Sequence, residues 1–308
     1  MSNKIIVICG PTASGKTSLG VELAKRINGE IISADSMQVY KEMNIGTAKV
    51  TLDEMQGIPH HLIDFVNPSE EYNVSMYRDD ALKKIEEIFQ RGKTPIIVGG
   101  TGLYIDTLIN GIEFSEIETD EEYRKQLEKL INEDENGKEI LFEELRKIDE
   151  ESANKIDKNN IRRVIRALEI YKVTGKTKSQ IDRESVKGTE YNFIVFGINL
   201  DREELYERIN KRVDVMIVDG LIDEVKNVCS KYELSKTALQ ALGYKEVIEY
   251  FNNEISYDEM VEKIKRESRR YAKRQMTWFR HINNIIWLEG NDKESMLDKI
   301  ISKYERDE

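Results

Sequence analysis

The segment from Gly10 to Thr17 has residue types and a spacing suited to binding phosphate. It reads Gly-Pro-Thr-Ala-Ser-Gly-Lys-Thr, which matches the GxxxxGK[ST] pattern at every fixed position. In this pattern backbone N–H groups surround anionic oxygens, Lys16 supplies a mobile positive charge, and the Thr17 hydroxyl helps to hold Mg²⁺. The candidate phosphate ligands are Gly10, Pro11, Thr12, Ala13, Ser14, Gly15, Lys16 and Thr17. The pattern does not say what carries the phosphate, so ATP, another nucleotide and a diphosphate donor stay open as ligands.

Two further polar residues follow apolar runs that are typical of buried strands. Asp35 comes after Glu30–Ser33, and Thr101 lies in the Gly-Gly-Thr-Gly turn 99–102, after Pro95–Val98. Ligands of parallel sheets bind where the strands end, so both residues are candidates for a site. Asp35 could bind Mg²⁺, accept a proton or cap the next helix, and the glycine turn could approach a ligand or be an ordinary turn. An ATPase usually has a metal-binding aspartate after a later strand, and its absence here weakly disfavours nucleotide hydrolysis.

Strand patterns alternate with helical patterns along the chain. The predicted strands are Lys4–Cys9, Glu30–Ser33, Pro95–Val98, Asn192–Asn199 and Ile285–Leu288, and helical patterns include Thr17–Ile27 and Met76–Gln90. This alternation predicts an α/β fold, a P-loop NTPase-like parallel sheet flanked by helices. Residues 114–187 are highly charged and poor in strand patterns. We interpret them as a helical insertion that divides the core into 1–113 and 188–308.

Composition excludes several classes of protein. No apolar run approaches the ~20 residues of a membrane helix, so we predict no membrane span. Cys9 and Cys229 lie far apart and outside any CxxC, which indicates neither a disulfide framework nor a zinc site and favours the cytoplasm. His60 and His61 are adjacent, and adjacent residues of an extended chain point to opposite sides. Because the whole chain has only three histidines, we reject a zinc site for this pair.

Charge is distributed unevenly over the chain. The formal net charge of −11 argues against a nucleic-acid partner. Residues 113–151, however, contain 16 acidic and 6 basic side chains, whereas 265–281 contain 7 Lys or Arg and one Glu. A local basic surface can meet a phosphate backbone despite an acidic average, although charge alone equally describes a solvated helix face.

Taken together, these segments resemble the tRNA dimethylallyltransferase family. The matching stretches are GPTASGKT (10–17), SADSMQVY (33–40), GTAK (46–49), PHHLID (59–64), VGGTGLY (98–104), IRRVIRALEIY (161–171), TGK (174–176), ALGYKE (241–246) and YAKRQMTWFR (271–280). They are colinear and cover nearly the whole chain. One departure is the pair Asn159-Asn160, where the family often has Asn-Asp; it concerns a helix cap or a tRNA contact.

The resemblance implies a reaction and a role for each candidate residue. Dimethylallyl diphosphate gives its prenyl group to the exocyclic amine of the adenosine just 3′ of the anticodon, and diphosphate leaves with Mg²⁺ assisting. The phosphate loop, with Lys16, Thr17 and Arg212, neutralises the leaving diphosphate. Asp35 orients the amine and takes its proton, and Thr101 forms hydrogen bonds at the reacting centre. The resemblance also implies a monomer.

Contacts to tRNA are implied for three parts of the chain. They are Asp35, Ser36, Met37, Gln38 and Thr101; Arg124, Asn159, Asn160, Ile161, Arg162 and Arg163; and Lys273, Arg274, Gln275 and Arg280. Trp278 could stack on a base or belong to the core. The target base has to leave the anticodon-loop stack to be reached.

Three other hypotheses stay open. A P-loop kinase or NTPase would use Asp35 as a metal ligand and turn over nucleotide without tRNA. An adenylate prenyltransferase acting on free nucleotide would need neither the insertion nor the basic segment. A non-catalytic RNA-binding protein would bind tRNA and form no product.

Overall fold

The computed structural model describes residues 3–114, 117–290 and 292–306, and a parallel sheet lies at its centre. The strands are β1 Lys4–Cys9, β2 Gly29–Ala34, β3 His60–His61, β4 Thr94–Gly99, β5 Asn192–Asn199 and β6 Ile286–Glu289. Within the described residues they form a six-stranded sheet in the order β3-β2-β4-β1-β5-β6, and every pairing is parallel. The predicted strands are thus present to within two residues at each end, and the α/β fold is confirmed.

Helices follow the strands in the pattern expected for crossover connections. The first four are α1 Lys16–Arg26, α2 Leu52–Met55, α3 Val74–Gln90 and α4 Gly102–Ile109. The next five are α5 Glu121–Glu133, α6 Gly137–Ile148, α7 Glu150–Lys155, α8 Ile161–Thr174 and α9 Lys178–Ser185. The last are α10 Arg202–Val218, α11 Leu221–Lys231, α12 Tyr244–Phe251, α13 Tyr257–Phe279 and α14 Lys293–Arg306. No helix in the described ranges combines the length and the apolar character that crossing a bilayer requires.

Both faces of the sheet are buried, which explains why its central strand is a continuous apolar run. On β1, Ile5, Val7 and Cys9 pack into a core with α3, α4 and α11–α13 on one face. Ile6 and Ile8 pack into a second core with α1 and α14 on the other face. Parallel strands that are covered by helices on both sides bury every residue, so an alternating polar pattern is not expected.

The chain divides into two compact units. One comprises Met1–Ile109 and Thr189–Glu308, and the other is Asn110–Gly188. The second unit is helical, from α5 to α9, and has its own apolar core that includes Leu141, Leu145 and Leu168. The sequence boundaries at 113/114 and 187/188 lie within a few residues of this division.

Candidate active site

The phosphate loop joins β1 to α1, and two of its residues have a left-handed backbone conformation. Gly15 precedes α1 with φ +86°, and Ala13 has φ +63°. No atom lies within 4 Å of a Cβ built on Gly15, so glycine is favoured there by its backbone conformation rather than by crowding. Such residues turn successive N–H groups toward one point, as an anion site requires. The Ser14 hydroxyl is buried and has no hydrogen-bond partner among the described residues, so it is available to an anion.

Lys16 lies at the start of α1 with its ammonium group inside the site. Its Nζ donates a hydrogen bond to the Pro11 carbonyl at 3.1 Å. Burial, together with the positive charge of Arg212, lowers the pKa of Lys16 to about 8, although the Asp35 carboxylate opposes this shift. A cation that is buried next to a second cation is strongly stabilised by a bound anion, because the anion supplies the opposite charge.

Arg212 reaches the phosphate loop from α10. Its Nη1 donates to Oγ1 of Thr12 at 3.1 Å, so the positive charges of Arg212 and Lys16 act on the same loop. Ile209, Val213 and Met216 share with Arg212 the face of α10 that lines the site. Because these residues follow helical spacing, one guanidinium is presented within an apolar wall.

Asp35 and Thr101 follow neighbouring strands and meet at the same sheet edge. Oδ1 of Asp35 accepts hydrogen bonds from the backbone N–H groups of Met37 at 2.9 Å and Gln38 at 3.2 Å. The carboxylate therefore caps a turn; the alternative that it caps a helix is wrong, because residues 36–39 are not helical. Oγ1 of Thr101 accepts from the N–H of Ser36 at 3.0 Å, which connects the two strand ends.

The glycine turn after β4 allows a close approach of backbones. A Cβ on Gly99 would lie 2.1 Å from the Ala34 carbonyl oxygen, so a side chain there would separate β2 from β4. A Cβ on Gly100 would lie 2.3 Å from Nε2 of Gln275. The turn is thus a close contact between elements rather than an ordinary tight turn.

Gln275 of α13 connects the glycine turn to the phosphate loop. Its Oε1 accepts from the Thr12 N–H at 2.9 Å, and its Nε2 donates to the Gly100 carbonyl at 2.9 Å. The side chain is buried, with 5% of its surface exposed. These bonds occupy both ends of the amide, so the geometry gives Gln275 a positioning role, and its contact with tRNA stays a prediction.

Lys16, Asp35, Arg212 and Gln275 line a cavity of ≈ 450 Å³ in the unit that contains the sheet. Thr101 lies beside it and accepts its hydrogen bond from the lining residue Ser36. Its polar lining includes Thr12, Lys16, Thr17, Asp35, Ser36, Gln38, Arg212, Arg274 and Gln275, and its apolar lining includes Val98, Ile209, Val213, Met216, Leu242 and Ile264. A cavity with both characters suits a ligand that has an anionic head and a short hydrocarbon tail.

The basic residues predicted near the C-terminal end of α13 and the neighbouring Trp278 have different environments. Lys273, Arg274 and Arg280 are exposed. Trp278 is half-buried, and a Cβ on Gly102 would lie 2.5 Å from its ring, so the indole packs on the start of α4. This contact favours a core role for Trp278 over base stacking.

The predicted residues of the second unit also divide into exposed and paired sets. Asn159, Asn160, Arg162 and Arg163 are exposed, and Ile161 is half-buried. Asn160 precedes α8, and its side chain makes no capping hydrogen bond within the described chain.

Arg124 is committed to an ion pair inside this unit. Its Nη2 donates to Oε2 of Glu169 at 2.9 Å, and Arg166 pairs with the same carboxylate. Glu169 is fully buried. Burial raises its pKa, but hydrogen bonds from Arg124 and Arg166 outweigh burial and hold the pKa below its ordinary value. The visible role of Arg124 is therefore structural, and its contact with tRNA stays a prediction.

The two adjacent histidines form the short edge strand β3. Nδ1 of His60 lies 2.8 Å from the Ile58 carbonyl oxygen, and Nε2 of His61 lies 2.7 Å from Oε2 of Glu30. Both rings thus have local structural partners. Among the residues that the structure describes, no group of three His, Cys, Asp or Glu side chains could hold a metal ion.

Tyr271 is a cavity residue that the sequence interpretation missed. It lies on α13 one turn before Gln275, and its ring centroid is 5.7 Å from the Arg274 guanidinium. Burial is the main cause that raises the pKa of its phenol, and the Asp35 carboxylate adds to this, so the group is a neutral donor. Its spacing of four residues from Gln275 was the available signal.

Comparison with known proteins places this site in a family. Residues 38–282 match the family model described as IPP transferase. The tRNA dimethylallyltransferase of Acetivibrio thermocellus is 52% identical over 295 residues, which are 95% of this chain and 94% of that protein. The protein of the same name from Halalkalibacterium halodurans is 48% identical over 293 residues, or 95% and 93% of the two chains.

Solved structures agree with this result. The full-length tRNA isopentenylpyrophosphate transferase of Bacillus halodurans has a TM-score of 0.74 and 44% identity, covering 99% of this chain and 98% of that one. A eukaryotic dimethylallyltransferase acting on tRNA has a TM-score of 0.78 and 34% identity, covering 98% and 77%. The predicted P-loop NTPase-like fold is confirmed by the sheet and by these neighbours. The family model and relatives with about 50% sequence identity each match most of this chain. The chain therefore belongs to the IPP transferase family, the family of the tRNA dimethylallyltransferases.

Proposed function

We propose that the protein transfers a dimethylallyl group from dimethylallyl diphosphate to the exocyclic amine of the adenosine 3′-adjacent to the anticodon in tRNA, releasing diphosphate. The observation that carries this proposal is that the phosphate loop and Asp35 line one cavity with an apolar wall, and that Thr101 is hydrogen-bonded to the lining residue Ser36. The names of the relatives support the same reaction. The kinase and free-nucleotide hypotheses gain no support from these relatives.

The donor end of the cavity suits an allylic diphosphate. The N–H groups of the phosphate loop, Lys16 and Arg212 bind the diphosphate, and Ile209, Val213 and Met216 contact the prenyl tail. As the allylic C–O bond breaks, negative charge grows on the leaving diphosphate. Positive groups already held around it stabilise that charge without rearranging.

Thr17 is the residue that would contact Mg²⁺. Proteins commonly bind this ion through one or two side chains together with substrate phosphate oxygens and water, so a single hydroxyl-bearing residue in the cavity lining next to Lys16 fits such a site. When bound, the ion supplies additional charge neutralisation at the diphosphate. ATP, which shares the phosphate chemistry, would compete for the same loop.

Asp35 and Thr101 serve the acceptor end. Because Oδ1 of Asp35 is held by two backbone N–H groups, Oδ2 accepts the proton of the amine as the C–N bond forms. The carboxylate thus orients the nucleophile and removes its charge. Thr101 contacts the amine from the adjacent strand end, and Tyr271 adds a neutral donor beside it.

Contacts to tRNA are assigned to exposed basic side chains. Lys273 and Arg274 on α13, Arg280 directly after that helix, and Arg162 and Arg163 on α8 bind phosphates or loop nucleotides. The helical insertion 114–187 thereby contributes to tRNA binding. We propose that the protein acts as a monomer in the cytoplasm.

The test uses the purified protein with Mg²⁺, dimethylallyl diphosphate and unmodified tRNA that has adenosine next to the anticodon. Nucleoside mass spectrometry is expected to find one added C5H8 unit on adenosine in tRNA and none on free AMP. A product with AMP but not tRNA would support the adenylate prenyltransferase, and ATP turnover without either product would support the kinase. Geranyl diphosphate in place of the donor measures the chain-length preference.

A further inference from the structure

Glu224, in the first turn of α11, binds three consecutive backbone N–H groups of a loop near the cavity. Oε2 accepts from Asn44 at 2.8 Å and from Ile45 at 2.6 Å, and Oε1 accepts from Gly46 at 3.0 Å. Hydrogen bonds to a charged acceptor are stronger than those between neutral groups. One carboxylate thus fixes the conformation of the backbone from 44 to 46.

Tyr244 at the start of α12 completes this contact. Its hydroxyl donates to Oε1 of Glu224 at 3.0 Å. Burial, followed by the Glu224 carboxylate, raises the pKa of the phenol, so it remains a donor. A Cβ on Gly46 would lie 2.7 Å from the ring of Tyr244, which means that ring and loop are in direct contact. The Glu224 carboxylate and the Tyr244 ring together restrict the conformations that the loop can adopt.

The same loop fixes the orientation of the Gln38 side chain. Nε2 of Gln38 donates to the carbonyl oxygens of Thr47 at 3.2 Å and Ala48 at 3.0 Å. Both amide hydrogens are thereby directed at the loop, so the remaining polar atom, Oε1, is an acceptor. Gln38, Gly46, Thr47 and Ala48 all line the cavity, beside the turn that Asp35 caps.

We propose that Glu224 is a positioning residue for prenyl transfer: it holds loop 44–48, and through that loop it presents Oε1 of Gln38 to an N–H donor of the acceptor base. This inference rests on the proposed function. Adenine carries N–H donors on its exocyclic amine, whereas guanine has a carbonyl oxygen at the equivalent ring position. An acceptor oxygen in the cavity wall therefore favours adenine. If the Gln38 amide were turned around, it would present N–H donors to the base instead.

Glu224→Gln tests this role because it keeps the size of the side chain and removes the charge. An amide cannot accept all three N–H groups with its oxygen, so the loop loses its anchor. We expect kcat/KM for tRNA to fall about tenfold, with KM for dimethylallyl diphosphate changed by less than about twofold. Asp223→Asn is the matched control: it neutralises the neighbouring exposed carboxylate in the same helical turn, and we expect parental constants.

Tyr244→Phe provides a milder second variant if Glu224→Gln does not fold. It retains the packing against Gly46 and removes one hydrogen bond to Glu224, so we expect the same direction with a smaller loss. Thermal melting reports stability separately. A Glu224→Gln protein that melts earlier but keeps parental kcat and KM would make Glu224 a structural residue only, and so would a loss confined to donor KM. A parental protein that never modifies tRNA would instead contradict the proposed function.

Discussion

Arg212 lies 3.1 Å from the Thr12 hydroxyl, although 200 positions separate the two residues in the chain. The contact brings a second fixed cation to a loop that already contains Lys16. Burial is the main cause that lowers the pKa of Lys16, and repulsion by the Arg212 charge lowers it further. Their proximity is favourable when an anion of two or more charges binds between them.

Replacing Arg212 with Met should therefore weaken donor binding. A charge-assisted hydrogen bond contributes about 1.5–3 kcal/mol, so we expect KM for dimethylallyl diphosphate to rise about ten- to hundredfold. Lys211→Met removes an exposed charge from the adjacent position and serves as the control. Steady-state kinetics with each substrate varied in turn measures both effects. Equal losses for tRNA and donor would contradict the assignment.

Asp35→Asn should separate chemistry from structure. The asparagine oxygen can still accept from Met37 and Gln38, so the turn is retained while the proton acceptor is lost. We expect the single-turnover rate to fall by roughly 10²–10⁴ with tRNA affinity nearly unchanged. A parental rate would remove Asp35 from the chemistry.

Donor affinity should decrease at high pH because of Lys16. Its pKa in the free protein is lowered to about 8, and a bound diphosphate favours the charged form. Below that pH Lys16 is already protonated and donor affinity is insensitive to it. Above that pH, binding must take up a proton, so we expect affinity to fall by up to about tenfold per pH unit.

Calorimetry in buffers of different ionisation enthalpy measures this proton uptake directly. Lys16→Arg keeps a positive charge throughout the range, and the proton uptake should disappear in that variant. Uptake that persists in Lys16→Arg would assign the titration to another group.

Arg163→Ala should weaken tRNA binding more than donor binding. If Arg163 contacts a phosphate, its loss lowers the slope of log affinity against log salt by about one. Lys129→Ala removes an exposed lysine that pairs with Glu133 on α5, and it is the control for general charge effects. Filter binding over a salt series gives the slopes. An unchanged slope for Arg163→Ala would exclude a phosphate contact.

Glu169→Gln should destabilise the second unit. The folded-state pKa of Glu169 is lowered, so its stabilising contribution is present above the unfolded pKa and is lost as pH falls through the folded value. At neutral pH we expect a loss of about 1–3 kcal/mol in the free energy of unfolding, because Arg124 and Arg166 then face a neutral amide. The difference between parent and variant should shrink in acid. Urea unfolding at several pH values measures it, and a constant difference would assign the stability to packing instead.

The sequence alone determined strands β1, β2, β4, β5 and β6, their alternation with helices, and the phosphate loop. These features depend on local patterns: apolar runs define β1 and β5, and the spacing of Gly10, Gly15 and Lys16 defines the loop. Strand β3 was not predicted, since a pair of residues carries too little pattern. Family resemblance supplied roles for Asp35, Thr101 and Arg212 that spacing could not.

Tertiary structure decided how those residues are held. Gln275 carries no local signal of its hydrogen bonds to Thr12 and Gly100, because they arise only when α13 packs against the sheet edge. The contact of Glu224 with the backbone from 44 to 46 joins segments about 180 residues apart. Such contacts depend on how the helices pack against a common core. The hydrophobic periodicity of one segment contains no information about which distant segment it will contact.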